Sequence, residues 1–372
     1  MTDGDGRVPA TRNWSALRER LLEIGPLWAG AVGTVLLFLV AVQLLGTATE
    51  AAQPVIERIL RRIVVDDTSA LGLGWAASYG LTNGSVVAAL SLSLLRSGLV
   101  SPSETYFMIA GTRLGGTAVI VLVGAIDYLQ NRRSQSLTEG TSLGLLTFVI
   151  TFSIYIPVTA LGAVVLTRYR STVFEATTGL GLSIRSLELL EPVTDAVTRA
   201  LGPTITLGVA IALLFGSLWF FDSLLERVHT ETIRKYVFRH FKRRWMAFGI
   251  GLLITGLTTS VAFSLGVIVP LYNRRFVRRG EMVPYILGAN IGTLFDTLVV
   301  GFVLETMVGV AIVALVMGLA TLLTVVVLVG YSPYLRVVDA CQDKLLEDRR
   351  FFVAFAATLI VLPIVLLAIP HV

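Results

Sequence analysis

Ten side chains suited to holding ions sit inside stretches of this chain that are otherwise apolar. Thr82, Asn83 and Ser85 lie midway along residues 71–95, and Thr258, Thr259 and Ser260 midway along residues 245–271, where no charge occurs between Met246 and Val269. Arg113 interrupts the apolar run 106–126, and Asn290, Thr293 and Asp296 fall within the run 282–304. Polar groups at that depth face protein or water, not lipid. Ser, Thr and Asn cap helix starts, where exposed N–H groups and the positive helix end attract an anion, while carbonyls of a preceding half-helix can coordinate a cation. The competing reading of each hydroxyl cluster is a bond to the preceding turn of a continuous helix. Its recurrence at two matching places favours a break over a continuous helix. Arg113 is either near an interface, where it snorkels, or aimed at an anion in a cavity. Asp296 is either a cation or proton site or the counter-charge of Arg113.

These residues need a membrane scaffold to position them. Of 372 residues, 55% are hydrophobic and 15% charged, against about 25% charged in a typical soluble chain. Seven runs, 27–49, 106–126, 143–167, 203–221, 282–304, 306–335 and 351–370, are long enough to cross a hydrocarbon core as helices. The expected fold is an all-α polytopic membrane protein.

Sliding the chain on itself by 177 positions puts Thr82 on Thr259, Gly74 on Gly251, Gly111 on Gly288 and Gly115 on Gly292. Each half reads as a span, a basic stretch, a glycine-containing segment with a polar centre, a glutamate and a glycine-broken helix. If the polar-centred segments are ordinary spans, the halves are parallel; if each dips in and returns as a re-entrant hairpin, they are inverted. With the N-terminus inside and hairpins, inner loops hold 21 Lys and Arg and outer loops 8; with ordinary spans the numbers are 17 and 12. The positive-inside tendency favours two inverted-topology repeats, each with a re-entrant helical hairpin. The expected organisation is a cytoplasmic segment 1–26, transmembrane repeat 27–167, an extracellular linker 168–202 with an amphipathic stretch at 183–201, and transmembrane repeat 203–372.

Other patterns carry less. The net charge of +5 follows from basic loops beside spans, so no nucleic-acid partner is expected. The basic stretch 234–244 reads as an interfacial helix held by anionic lipid. Cys341, the single cysteine, excludes an internal disulfide and reads as a small structural residue. His229, His240 and His371 lack metal-ligand spacing, and no nucleophile and base set occurs, so neither an enzyme nor a histidine-held metal site is expected. Gly72-x-Gly74-x-x-Ala77 lacks the strand and helix context of a dinucleotide site, and no Walker-type phosphate loop is present.

Gly251-Leu252-Leu253-Ile254-Thr255-Gly256-Leu257-Thr258-Thr259-Ser260, followed by Gly288-Ala289-Asn290-Ile291-Gly292-Thr293, resembles the sodium/phosphate cotransporter family, type II and its bacterial and archaeal relatives. The resemblance implies inverted halves whose hairpins carry Gln-Ser-Ser-Ser, each followed by a Gly-Ala-Asn-Ile-Gly-Thr-like element. This chain aligns Thr82-Asn83-Gly84-Ser85 and Thr259-Ser260-Val261-Ala262 with those tips, and puts Arg113 where the first element has asparagine. The implied function is secondary active transport of a small anion, inorganic phosphate first, coupled to sodium and needing no cofactor, in the plasma membrane with the N-terminus cytoplasmic. Thr82, Asn83, Ser85, Ser260 and Arg113 are then the anion ligands, and Thr258, Thr259, Asn290, Thr293 and Asp296 surround the cation. The alternative is a member that no longer transports and serves as a membrane binding or regulatory subunit; an oligomer fits either reading.

Overall fold

The computed structural model describes residues 12–130, 135–168, 190–227, 243–273, 277–347 and 349–368. Helices α1 (Arg12–Ala51), α2 (Gln53–Ile63), α3 (Asp67–Leu81), α4 (Gly84–Arg96), α5 (Pro102–Gln130) and α6 (Gln135–Arg168) come first. Then follow α7 (Glu191–Leu201), α8 (Pro203–Glu226), α9 (Arg244–Thr258), α10 (Val261–Asn273), α11 (Arg279–Gly292) and α12 (Leu294–Val303). The chain closes with α13 (Met307–Val329), α14 (Tyr331–Glu347) and α15 (Arg349–Ala368), and no strand occurs among the described residues.

Seven stretches are long and apolar enough to cross a membrane: Gly25–Ala51, Pro102–Val123, Leu143–Arg168, Pro203–Glu226, Arg279–Val303, Met307–Val329 and Arg350–Ala368. They match the seven runs in number and order, with shifted ends. The run 306–335 stops at Val329, because Gly330 ends α13 and α14 starts at once. The run 203–221 continues to Glu226, so Asp222 belongs to the helix. Of the amphipathic stretch, the helix covers Glu191–Leu201, with Pro192 in its first turn, where a missing N–H costs nothing. Residues 183–189 and 234–242 of the expected surface helices lie outside the described residues. Cys341, expected as a small structural residue, is exposed on α14.

Both polar-centred segments break where the sequence clusters its hydroxyls. Each breaks into a 15-residue helix, a two-residue gap and a 13-residue helix. Around the first break, Ala70 near the start of α3 and Leu94 near the end of α4 lie in one apolar cluster with Leu60 and Val64. Around the second break, the Thr255 hydroxyl donates to Ser264 Oγ at 2.7 Å, joining α9 to α10.

The α3–α5 and α9–α11 pairs cross through glycine, and the crossing repeats at the same offset of 177. A Cβ on Gly74 would land on the carbonyl of Met108, and one on Gly251 on that of Tyr285. Gly111 meets Leu71 and Gly288 meets Phe248; Gly115 meets Trp75 and Gly292 meets Leu252. Every partner is displaced by the same 177 positions as the glycine it faces. Small residues let membrane helices approach to backbone contact, and here the approach fixes where the next residues point.

Three fully buried tyrosines tie the remaining layers, each with its hydroxyl satisfied. Tyr106 donates to Val158 O at 2.6 Å, Tyr155 to Asn290 O at 3.0 Å and Tyr285 to Ser264 O at 2.8 Å. They link α5 to α6, α6 to α11, and α11 to α10, since a buried phenol needs a partner for its polar tip. Helix α15 closes on α3, where Tyr79 donates to Leu359 O at 2.8 Å.

Candidate functional site

Thr82 ends α3 in the left-handed conformation, at φ 50°, and Thr259 ends α9 at φ 51°. A β-branched residue in that region is rare and strained, and here it occurs at the two positions the offset superimposes. Each turn hands the chain to a capped helix. Asn83 Oδ1 accepts from the N–H of Ser85 at 2.9 Å and of Val86 at 3.3 Å, and Ser260 Oγ accepts from the N–H of Phe263 at 3.0 Å. A helix start leaves four N–H groups without an intrahelical partner, and the caps take only some of them.

Both helix starts open on one cavity of about 350 Å³, within the range of roughly 300–1,000 Å³ typical of small-ligand sites. Thr82, Asn83, Ser85, Ser260 and Arg113, the five residues expected to hold an anion, all line it. Arg113 is buried on α5, 9% exposed, and does not snorkel. Its Nη1 donates to Thr293 Oγ1 at 2.9 Å and its Nε to Thr112 Oγ1 at 3.3 Å, while Nη2 has no partner. A buried cationic donor left open is costly unless something accepts from it.

The five residues expected around a cation separate. Asn290 and Thr293 line the larger cavity, Asp296 lines a neighbouring one of about 160 Å³, and Thr259 lines both. Thr258 lines neither; its hydroxyl donates to Ile254 O at 2.6 Å and accepts from the N–H of Ser260 at 3.4 Å. Asn290 and Thr293 are already engaged: Thr293 donates to Asn290 O at 2.8 Å, Tyr155 donates to the same oxygen, and Asn290 Nδ2 donates to Thr151 Oγ1 at 2.8 Å. Asp296 is 3% exposed. Its Oδ1 accepts from the N–H and hydroxyl of Thr297, while Oδ2 has no partner. The Arg113 charge and the Ser85 hydroxyl both act on this carboxylate, yet Arg113 Nη2 and Asp296 Oδ2 do not meet each other.

Sequence reasoning missed two contributors to the larger cavity. One is the stripe Thr147, Thr151 and Tyr155 on α6, whose spacing of four within an apolar run was the available signal. The other is Asp222, which lines the cavity on α8 and interacts with Ser260. It stands one residue beyond the apolar run, where a carboxylate reads as a flank.

Among curated proteins and among solved structures, nothing matches this chain. The family model of the Na+/Pi-cotransporters matches residues 37–192 and 213–331, a span that takes in both helix breaks, Arg113, Asn290 and Asp296. With two capped helix starts facing one cavity inside a seven-span helical chain, and most of its length matched, the protein belongs to the Na+/Pi-cotransporter family.

Proposed function

We propose that this chain is a secondary active transporter that carries inorganic phosphate with sodium. The observation that carries the reading is Arg113, a buried cation with Nη2 left without a partner, in the lining of a cavity onto which two capped helix starts open. Thr82, Asn83, Ser85 and Ser260 surround the anion at those starts, and Arg113 supplies the charge that its oxygens meet. A coupling cation is held by oxygen groups around Thr259 and Asp296, because an intramembrane carboxylate is a cation site by default.

In this reading the two repeats have inverted topology and each broken segment is a re-entrant hairpin. The repeated glycine contacts support a repeat. Helices of 15 and 13 residues reach only about 22 Å and 20 Å, short of a hydrocarbon core of roughly 30 Å, and the shared apolar cluster at the far ends of α3 and α4 supports a return to the same side. Movement of one half against the other then exposes the cavity to each side in turn.

The test is uptake of radiolabelled phosphate into proteoliposomes with and without an inward sodium gradient, with Asp296→Asn as control. Sodium-dependent accumulation that falls in the variant is the expected result. No uptake by folded, inserted protein overturns the phosphate assignment and favours a binding or regulatory role.

A further inference from the structure

Helix α2 starts two residues after the first span ends, with Pro54 in its first turn. Four helix ends meet beside it. Glu50 at the end of α1 pairs with Arg96 at the end of α4 at 2.9 Å, and Ser103 at the start of α5 donates to Asp67 Oδ2 at the start of α3 at 2.7 Å. Charged and polar groups gathered at helix ends mark the rim of the spans, where hydrocarbon gives way to headgroups. One side of α2 is packed on this rim. Leu60, with Val64 just past the helix, lies in an apolar cluster with Ala70 of α3, Leu94 of α4 and Met108 of α5, and Ile56 and Ile63 pack against it. At 3.6 residues per turn, Val55 and Ile59 continue that apolar arc beyond its protein contacts. They are 50% and 56% exposed. Arg58 and Arg62, both exposed, border the pair, and neither has an ion-pair partner among the described residues. The other border of the arc differs. There Glu57 accepts from Arg61 Nε at 2.8 Å, and the two line a polar cleft of about 470 Å³ together with Glu104.

We propose that α2 lies in the membrane interface and binds anionic phospholipid, with Val55 and Ile59 among the upper acyl carbons and Arg58 and Arg62 on headgroup phosphates. Bare aliphatic side chains at the level of the rim are covered by acyl chains, and arginines beside them reach the phosphate oxygens just above. The charge favours anionic lipid over neutral lipid: Glu57 balances Arg61, and nothing in the helix balances Arg58 and Arg62. Since Leu60 packs with Ala70 and Leu94, a helix held by lipid ties α3 and α4 to the bilayer surface. The assignment does not depend on what the chain transports.

The experiment places a bimane dye on the full chain in vesicles, through Ile59→Cys in a Cys341→Ala background, with a labelled Arg61→Cys protein as the water-side comparison. Bromine on an acyl chain quenches the dye only on contact. In vesicles of brominated phosphatidylcholine we expect strong quenching from position 59 and little from position 61. Where only phosphatidylglycerol carries bromine, in a mixture with phosphatidylcholine, quenching from position 59 should exceed that lipid's share of the vesicle. Arg58→Gln and Arg62→Gln each lower this preference about fivefold, while Arg58→Lys and Arg62→Lys keep it. Val55→Cys supplies the same reading if a label at position 59 disturbs folding. Equal quenching from positions 59 and 61 overturns the proposal, and so does no quenching from either, which would point to a protein surface on this face. Quenching from position 59 that follows the bulk lipid ratio and stays the same in the glutamine variants overturns it too.

Discussion

Arg113→Gln separates the two jobs that one buried guanidinium performs. The side chain donates to Thr293 and Thr112 and keeps Nη2 open. If Nη2 meets an anion oxygen, glutamine forfeits one charge-assisted hydrogen bond of about 1.5–3 kcal/mol. At about 1.4 kcal/mol per decade, phosphate affinity falls roughly 10- to 150-fold. The same change removes the cation that acts on the Asp296 carboxylate. Stripping one member from a directly paired buried ion pair costs about 3–5 kcal/mol; Arg113 and Asp296 do not bond to each other, so the loss of folding stability should fall below that range. Adding Asp296→Asn should recover this stability and leave phosphate affinity low, since the missing donor is not replaced. Calorimetric titration of phosphate and thermal unfolding on the wild type, both single variants and the double variant supply the two readouts. A folded Arg113→Gln protein that binds phosphate within a factor of about three of wild type refutes the reasoning.

Two further outcomes follow from the packing and the cavity wall. Gly288→Ala and Gly111→Ala drive a methyl into the carbonyls of Phe248 and Leu71, so each should lower stability by at least the roughly 1–3 kcal/mol of an overpacked core. Gly249→Ala, with nothing within 4 Å of its Cβ, should be near neutral in the same thermal unfolding assay. Asp222→Asn removes a carboxylate from the larger cavity and, if that cavity receives the anion, should tighten phosphate binding severalfold; weaker binding by titration would show that Asp222 serves a cation instead.

The scaffold was legible because its signals are composition and repetition. Seven spans could be counted from apolar length, and the break at each hydroxyl cluster followed from residues that cap helices. The five residues expected to hold an anion converge on one cavity because all lie at or beside the elements that the offset pairs. The five expected around a cation do not, and the reason is local geometry. Asn290, Thr293 and Asp296 share one apolar run, but the chain breaks at Thr293 between α11 and α12, so Asp296 turns to a different cavity. No periodicity reveals a break made by a residue of ordinary helical dihedrals.

The crossing of α3 with α5 and of α9 with α11 rests on main chain against main chain. A joint of that kind constrains glycine alone and asks nothing of the side chains beyond it. The frame and the lining of this molecule are therefore separable design variables. An engineer could rewrite the residues at both helix starts, trading hydroxyls, amides or charges to suit another oxyanion, and still inherit the same chassis. The glycines, not the ligands, are the parts that such a retrofit must leave untouched.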